Sequence, residues 1–491
     1  MRARFLCDFA VSSGSLKITT DSGRLYAVFG DREVGILSSS LRVVLTETGR
    51  KYRINREALC EQLVTGAVAG SETVFEGIER LDGSVISFSH GTRVTMKTAD
   101  AEADEPPPTF RSASACIDYQ LEVLRTHILE IADSTSNCAI SMGLSGGYDS
   151  RLMLLLALDA GIPLLPFTFT SPNHRKESGI AEELAKRAGL DLRQIPLRST
   201  AELDDVSLET NIDDAIPYFD GRTNETMGTF GDVHTARTQR ECVGDAVLNL
   251  NGLGGELYRN RERLPPYSFS FKDWLWQYVI GPKGRGAFLS ARGRVTFEDR
   301  LASKYGELLG MGTLRRLDRR SARRWYRNVW LPCFAGPRLS AENRVSRSLM
   351  PFGDGRVSAA ALAATPYIGA HGEFEAALIR RLDEKIAALP SSYGPGFSRG
   401  PLKRRLLELA MALVPLQARL ARLRVLARLR RTGPDDIGRW RKRFREPLRS
   451  LNAMKLPLSI DFLLRDQVSR DRTLYMAEFL HRHREHFDAH A

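Results

Sequence analysis

The stretch SMGLSGGYDS, residues 141–150, joins a short apolar run to the long apolar segment SRLMLLLALDAG. Gly146 and Gly147 carry no side chain, so backbone N–H groups can converge there on an anion. Ser145 and Ser150 add hydroxyl donors, and the start of the following helix adds its positive end. Asp149 would repel a bare phosphate, which indicates that a divalent cation bridges it to the phosphate oxygens. The stretch therefore predicts a site for a magnesium-bound polyphosphate, and the alternative is an ordinary Gly-Gly turn at a helix start.

The segments around this loop alternate between strand and helix. A helix is predicted from about Ala113 to Ala132, and then strand, helix, strand, helix and strand follow in CAISMGL, SRLMLLLALDAG, IPLLPFTFT, ESGIAEELAKRAG and LRQIPL. Elements of these lengths pair in parallel through right-handed crossovers, which predicts an α/β fold with a doubly wound parallel sheet. Ligands bind such sheets at the carboxyl ends of the strands, where this loop lies.

The N-terminal part has a different pattern. Short alternating runs between Leu25 and Lys97 predict an antiparallel sheet, in LYAVFG, VGILSS, RVVLTE, KYRI, VISFS and RVTMK. One helix, NREALCEQLVTG, is predicted with Asn55 as its N-cap and Gly66 as its end. The acidic, proline-rich residues 99–110 are typical of a linker. We therefore expect three parts, at residues 1–105, 111–400 and 401–491.

Composition indicates a globular protein without a disulfide or zinc framework. Of the 491 residues, 43% are hydrophobic and 26% are charged. The six cysteines form no CxxC pair and are expected to be buried thiols, at Cys7, Cys60, Cys116, Cys138, Cys242 and Cys333. The apolar stretch that starts at Leu152 is interrupted by Asp159 and two prolines, so it does not predict a membrane span. The N-terminal apolar run is too brief for a secretory signal, so a cytoplasmic protein is expected.

The SGGxDS spacing resembles the pyrophosphate loop of ATP-pyrophosphatases with an adenine-nucleotide alpha-hydrolase-like fold. The stretch INREALCEQLVTGAVAGSETVFEGIERLDGSVISF resembles part of the class II amidotransferase (Ntn-like) domain of asparagine synthetases. LNLNGLGGELYRN resembles that family's second acidic signature, and LMPFGDGRV resembles its PFLD segment. The chain thus resembles asparagine synthetases, whose relatives include β-lactam synthetases and lasso-peptide cyclases, over about residues 20–400.

This resemblance implies ATP and Mg²⁺ as cofactors and assigns roles to particular residues. The pyrophosphate would be held by Ser145, Gly146, Gly147, Asp149 and Ser150, and adenine would lie beside Phe167 and Thr168. Asp149 and Glu256 would bind magnesium, with Arg259 as a clamp for a phosphate or a carboxylate. The alternative for Glu256 is a solvated acid in an ordinary turn.

The chain also departs from the family pattern. The family's glutaminase needs a cysteine as residue 1, whereas this chain begins Met1-Arg2, so we expect no glutamine hydrolysis. The family's glutamate before PFLD is out of register here, and Glu342 is the nearby substitute. The family's late lysine falls near Pro395, so Arg399 or Lys403 would supply the cation that stabilises the adenylation transition state.

Two further patterns allow more than one interpretation. Tyr326 could pair with a glutamate as a general base, as in relatives that close a ring, but we favour a core aromatic beside Trp325 and Trp330.

Residues 399–431 carry ten basic residues and one acid, in leucine-rich helices broken at Pro415. They would bind an acidic leader peptide, an anionic glycan or a membrane surface, or else pack on the core with solvated arginines. We expect no nucleic acid partner, because no aromatic platform lies in this run. The tail HRHREHFDAH predicts a frayed terminal helix.

Together these features predict an AMP-forming amide ligase that adenylates a carboxylate and passes the acyl group to an amine or ammonia. The carboxylate would belong to a small molecule, a peptide or a sugar acid. The alternative is a catalytically silent nucleotide-binding subunit. A sulfur-transferring tRNA-modifying pyrophosphatase fits less well, because the chain has no cysteine pair for a sulfur relay.

Overall fold

The structure, a computed structural model, describes residues 7–12, 15–81, 85–90, 94–99, 108–136, 138–171, 175–222, 229–281, 284–394, 396–397, 402–429 and 437–488. Within these ranges the strands are β1 (Cys7–Ser12), β2 (Ser15–Thr20), β3 (Phe29–Asp31), β4 (Ile36–Ser38), β5 (Tyr52–Ile54), β6 (Phe75–Glu76), β7 (Glu79–Arg80), β8 (Val85–His90), β9 (Val94–Ala99), β10 (Ile140–Gly143), β11 (Leu164–Thr170), β12 (Arg193–Pro196), β13 (Leu248–Leu250), β14 (Phe269–Ser270), β15 (Arg316–Leu317), β16 (Ser348–Leu349) and β17 (Phe487–Asp488).

Helices make up much of the remaining chain. They are α1 (Leu41–Glu47), α2 (Arg56–Thr65), α3 (Ala113–Ser134), α4 (Tyr148–Asp159), α5 (Arg175–Ala188), α6 (Asp205–Phe219), α7 (Ala236–Val243), α8 (Phe271–Trp274), α9 (Ala291–Leu308), α10 (Arg319–Trp325), α11 (Gly336–Glu342), α12 (Gly355–Leu362), α13 (Glu373–Leu382), α14 (Glu384–Ala388), α15 (Leu402–Leu413), α16 (Leu416–Leu429), α17 (Ile437–Arg443), α18 (Arg445–Ala453), α19 (Ile460–Leu463) and α20 (Gln467–Arg482).

The centre of the fold is a parallel sheet with the strand order β12-β11-β10-β13-β16 in the described part of the chain. Counted along the chain, this is the order third, second, first, fourth, fifth. The order reverses between β10 and β13, so a crevice forms at the carboxyl ends of these two strands. The α/β fold with a parallel sheet is confirmed, and the nucleotide loop follows β10 directly.

Strand register brings the loop and the FTFT strand together. Gly143, at the end of β10, pairs with Phe167 in β11. The N–H of Leu144 then donates to the carbonyl oxygen of Phe167 at 2.7 Å. Because strands of one parallel sheet end at the same edge, Phe167 and the residues after it flank the loop.

The N-terminal part is antiparallel, as predicted, with one correction. β1, β2, β8 and β9 form one antiparallel sheet, and β3 pairs with β4 and β7 in another. Helix α2 is confirmed with its cap, since the Asn55 side chain accepts from the N–H of Ala58 at 3.0 Å and Gly66 has a φ of 106°. The strand predicted in RVVLTE is wrong, because these residues form α1. Ser40 caps that helix by accepting from the N–H of Val43 at 3.2 Å. Asp220, from a distant part of the chain, accepts from the Ser40 hydroxyl and the N–H of Leu41, at 2.6 and 2.7 Å.

The three predicted parts share a hydrophobic core. Phe75, Leu154 and Phe479 all belong to one buried cluster. The tail was expected to be a frayed helix, but it forms β17, which pairs in parallel with β5. Phe487 in this strand is buried and packs against Phe75, with ring centroids 5.7 Å apart. The boundaries at 1–105, 111–400 and 401–491 stay a prediction, and most of the linker, residues 100–107, lies outside the described residues.

The cysteines follow the expectation except at one position. Cys60, Cys116, Cys242 and Cys333 are buried free thiols. Cys138 is exposed, because it lies in the turn that leads into β10, and the side chain of Cys7 lies outside the described residues. In the described ranges, no helix has the length and apolar character needed to cross a bilayer.

Candidate functional site

Two serine hydroxyls give the nucleotide loop its shape. The hydroxyls of Ser145 and Ser150 lie 3.0 Å apart, and Ser150 Oγ accepts from the N–H of Ser145 at 3.2 Å. Ser145 Oγ in turn accepts from the N–H of Gly147 at 3.3 Å. Gly147 is the N-cap of α4 and offers the helix no side-chain acceptor. The first turn of α4 therefore begins with its N–H groups directed at the crevice, which is the usual arrangement for binding an anion.

A second segment covers the back of this loop. The N–H of Ser392 donates to the carbonyl oxygen of Gly146 at 2.9 Å. A Cβ atom at Gly146 would collide with Ser392 Oγ and lie 3.0 Å from Ile180 Cδ1. Glycine is needed at residue 146 because the two backbones approach so closely.

Arg151 fixes this covering segment. Its guanidinium donates to the carbonyl oxygens of Ile386, Leu389 and Pro390, at 3.0, 3.0 and 2.6 Å. It also lies 4.5 Å from the ring centroid of Phe397, whose ring stacks on Tyr148 at 4.1 Å. Ser392 thus packs on the nucleotide loop, and Phe397 packs on the first residue of α4.

A cavity of about 370 Å³ opens at the crevice between β10 and β13. It is lined by seven of the predicted site residues: Ser145, Gly147, Asp149, Ser150, Phe167, Thr168 and Glu342. Gly146 lies behind the cavity, against Ser392. Glu256 lines a separate cavity of about 40 Å³. The structure therefore lines the larger cavity with most of the predicted site. Glu256, the second predicted magnesium ligand, lines the smaller cavity together with Arg259, and its metal role stays a prediction.

One wall of the larger cavity is apolar. Phe167, Ile195 and Cys242 form a small buried cluster apart from the main core, and Phe169 and Leu197 pack against it. Phe167 and Phe169 are 5.6 Å apart, edge to face. A planar, largely apolar group such as a purine base fits a wall of this kind.

Arg259 joins three carboxylates beside the loop. It binds Asp149 with two hydrogen bonds, from Nη1 to Oδ1 at 2.8 Å and from Nη2 to Oδ2 at 3.0 Å. Nη1 also donates to Glu375 at 2.8 Å, and Nη2 lies 3.6 Å from Glu256 Oε1. The Arg259 side chain is 4% exposed, so these interactions are poorly screened by water. Arg259 acts as a clamp on carboxylates of the protein itself.

The electrostatics of this cluster distinguish its acids. Burial raises the pKa of Glu375 well above its ordinary value, and the nearby charge of Asp149 adds to this effect. Burial also raises the pKa of Asp149, although the charge of Arg259 opposes it. Burial acts in the same direction on Glu256, but the charges of Arg259 and Arg261 outweigh it and lower the pKa of Glu256. Burial therefore favours the protonated form of Glu375 and of Asp149, whereas the two arginines favour the ionised form of Glu256.

The close approach of two loops explains why the turn before Glu256 is rich in glycine. A Cβ atom at Gly255 would lie 2.8 Å from Cγ of Asp149, so only glycine lets the two loops meet. Glu256 accepts from the hydroxyl of Tyr326 at 2.9 Å. Tyr326 also stacks on Trp330, with centroids 4.6 Å apart. The structure thus shows both the aromatic packing that we favoured and the tyrosine–glutamate pair of the alternative, and it leaves the choice between them a prediction. The solvated-turn alternative for Glu256 is wrong, because its side chain is 10% exposed.

Glu342 is held at the cavity wall. Its Oε1 accepts from Asn251 Nδ2 and Arg338 Nε, both at 2.9 Å. Its Oε2 is buried and has no hydrogen-bond partner within the described part of the chain. Arg399 lies outside the described residues, and for Lys403 the structure describes only the backbone, in α15.

Sequence reasoning missed several members of the site. Asn251 follows the end of β13, and this position, at the carboxyl end of a parallel strand, was a signal that could have identified it. Glu375 and Arg338 lie in segments without a recognisable motif, so nothing in their local sequence pointed to the crevice. Ser392 lies three residues before Pro395, in the segment where the resemblance places the family's late lysine, so this segment was expected near the site although Ser392 itself was not named.

A magnesium ion bound to nucleotide fits Asp149 in part. In proteins Mg²⁺ is usually held by one or two carboxylates together with phosphate oxygens and water. Asp149 lines the cavity beside the loop and can be such a ligand, although both of its oxygens accept from Arg259. Over the described ranges, no group of three or more acidic, histidine or cysteine side chains is placed to hold a metal. The phosphates would therefore supply most of the ligands.

Comparison with known proteins gives little guidance. No family model and no curated protein matches the chain. One solved structure that it matches is a glutamine-dependent NAD⁺ synthetase from Acinetobacter baumannii in complex with ADP. The match is 16% identical, covers 34% of this chain and 35% of that one, and has a TM-score of 0.16. The chain thus spans about a third of the length of that protein, and a TM-score this low carries no argument about structure or function.

Proposed function

We propose that this chain is an ATP-dependent, AMP-forming amide ligase of the asparagine synthetase-like kind. The observation that carries the proposal is the Ser145–Ser150 loop, which lies at the reversal point of the parallel sheet and opens into a cavity of about 370 Å³. That volume is within the usual range for sites of nucleotide-sized ligands. The apolar wall at Phe167 supports a place for adenine next to a place for phosphates.

The proposed reaction has two steps. A carboxylate oxygen of the substrate attacks the α-phosphorus of ATP, and the bond to pyrophosphate breaks. The loop N–H groups and the hydroxyls of Ser145 and Ser150 would stabilise the pyrophosphate as it leaves. Magnesium held at Asp149 would neutralise charge on the phosphates.

In the second step an amine nitrogen attacks the acyl carbon and AMP leaves. Glu342 is the proposed acceptor of the amine proton, because its Oε2 is buried at the cavity wall without a partner in the described residues. Arg399 or Lys403 is the proposed cation for the adenylation step. The nitrogen would come from ammonia or a substrate amine, and the cytoplasm would supply ATP and Mg²⁺.

One observation favours a second candidate, a nucleotide-binding subunit without catalysis. Arg259 donates a hydrogen bond to each carboxylate oxygen of Asp149, so this arginine competes with a metal ion for that carboxylate. A chain that binds ATP by its loop alone would tolerate such competition.

Pyrophosphate exchange into ATP, measured with a panel of carboxylates, tests the proposal. We expect exchange with at least one carboxylate, and we expect Asp149→Asn to abolish it. Asp159→Asn is the matched control, because Asp159 ends the same helix and is 42% exposed in an ion pair with Arg125. ATP binding without exchange for any carboxylate would support the second candidate instead.

A further inference from the structure

Helix α15 exposes an unusual amount of apolar surface. Leu406, Leu409 and Leu413, spaced three and four residues apart, are 56%, 50% and 48% exposed. Met411 and Val414 are 37% and 38% exposed. Between residues 409 and 415 only Ala412 is buried. We call these five large apolar residues the α15 surface. Scattered apolar residues are normal on a protein surface, but leucines that share one helix face, as Leu406, Leu409 and Leu413 do, mark an interaction site.

The α15 surface is held firmly to the rest of the molecule. The guanidinium of Arg419, in α16, donates to the carbonyl oxygens of Ala412 and Val414, both at 2.9 Å, and so closes the turn between the two helices. It also donates to the carbonyl oxygen of Arg263 at 2.7 Å. The hydroxyl of Tyr267 donates to the carbonyl oxygen of Leu413 at 3.0 Å. The C-terminal end of α15, at Leu413, is therefore anchored to the rest of the molecule.

The same helices carry a strong positive charge in their sequence. Three basic residues in α15 and four in α16 make seven, against one acid, Glu408. Among them, Arg422 is exposed. A helix with exposed leucines beside lysine and arginine is typical of segments that lie in the plane of an anionic lipid surface. Apolar side chains then enter the headgroup region and the cations meet lipid phosphates.

We propose that the α15 surface binds the face of an anionic lipid bilayer. An acidic peptide would pair with the cations but would leave the exposed leucines without a role. A second copy of this chain would cover the leucines but would bring seven like charges from each copy together. An anionic bilayer satisfies both the apolar and the charged component. This inference does not depend on the proposed ligase activity.

Vesicle sedimentation with the full-length protein tests the proposal. Vesicles of phosphatidylcholine alone are compared with vesicles that also contain phosphatidylglycerol, at low and high salt. We expect binding to the anionic vesicles only, and weaker binding at high salt, because the screening length falls from about 10 Å at 0.1 M to about 3 Å at 1 M. Leu409→Asp should reduce binding about tenfold or more, because the variant loses one leucine side chain that would be buried in the bilayer and gains a negative charge. Leu289→Asp is the matched control, since Leu289 is 68% exposed and lies outside the α15 surface. Arg422→Glu should also weaken binding.

Circular dichroism and thermal unfolding show whether each variant stays folded, and the exposed positions of Leu409 and Arg422 favour this. Three outcomes would overturn the proposal. The first is no binding to either kind of vesicle, and the second is equal binding to both. The third is a dimer that Leu409→Asp converts to a monomer, which would identify the surface as a contact between copies. In the first case, binding to polyglutamate would assign the helices to an acidic peptide instead.

Discussion

Replacing Gly146 with alanine tests how closely Ser392 packs on the nucleotide loop. The new Cβ would collide with Ser392 Oγ and would lie 3.0 Å from Ile180 Cδ1 and 3.1 Å from the backbone N of Ser392. The segment around Ser392 cannot move freely, because Arg151 holds three of its neighbouring carbonyl oxygens. Overpacking of a constrained site costs about 1–3 kcal/mol in the free energy of unfolding. The hydrogen bond from Ser392 N to the carbonyl oxygen of Gly146 should lengthen or break.

Denaturant unfolding measures this cost, with Gly147→Ala as the matched control. A Cβ at Gly147 meets nothing closer than Ser145 Oγ at 3.4 Å, and the φ of −83° suits alanine. The control should therefore change stability by less than about 0.5 kcal/mol. Adding Ser392→Ala to Gly146→Ala removes the colliding oxygen and should recover part of the loss. An unchanged unfolding midpoint in Gly146→Ala, or a double variant no more stable than the single one, would contradict the packing that we describe.

Three further predictions concern the carboxylate cluster. Arg259→Met leaves buried acids without their cation and should cost about 3–5 kcal/mol of stability, measured by denaturant unfolding, whereas a cost below about 1 kcal/mol would argue against the buried network. Glu375→Gln keeps an acceptor for Arg259 and removes a carboxyl whose pKa is raised by burial. The native protein retains that proton longer than the unfolded chain does, so stability is lost as pH rises from the ordinary pKa of 4.5 toward the folded value. The melting temperature of Glu375→Gln, relative to that of the parent protein, should therefore rise with pH. A difference that does not change with pH would contradict the raised pKa of Glu375. Tyr326→Phe removes a donor to ionised Glu256 and should cost about 1.5–3 kcal/mol at pH 7. Because the pKa of Glu256 is lowered in the fold, this cost should shrink as the pH falls below 4.5 and through the folded pKa. A cost that stays constant in denaturant unfolding across this pH range would contradict the hydrogen bond to an ionised Glu256.

The parts of the fold that follow local rules could be predicted from sequence. The strand, loop and helix around SGGYDS have the periodicity and the glycines that their geometry requires, and they form β10, the loop and α4. Helix α2 likewise carries its own start and stop signals in Asn55 and Gly66. Seven predicted residues line the same cavity, and six of them do so because they belong to β11 or to the loop and helix start that follow β10 at one edge of the sheet. The seventh, Glu342, comes from α11.

The parts that depend on distant contacts could not be predicted. RVVLTE has the alternation of a strand, yet it forms a helix that Ser40 caps, and Asp220, 179 residues beyond Leu41, accepts from the Ser40 hydroxyl and the N–H of Leu41. The Ser40 cap was a local signal, whereas the contact with Asp220 was not. Phe487 pairs with strand β5 although nothing in HRHREHFDAH signals a strand. Glu375 reaches Arg259 from a helix whose sequence reads as an ordinary amphipathic segment. Local sequence does not record which residues become neighbours only after folding.

Oxygen transfer from the substrate carboxylate to AMP tests the central claim most directly. A carboxylate that supports pyrophosphate exchange is labelled with ¹⁸O and incubated with the protein, Mg-ATP and an amine, and the nucleotide product is analysed by mass spectrometry. Adenylation predicts one ¹⁸O atom in AMP for each amide formed, because the carboxylate oxygen that attacks the α-phosphorus leaves with AMP. Label in inorganic phosphate together with ADP, or unlabelled AMP alongside labelled amide, would contradict the proposed chemistry.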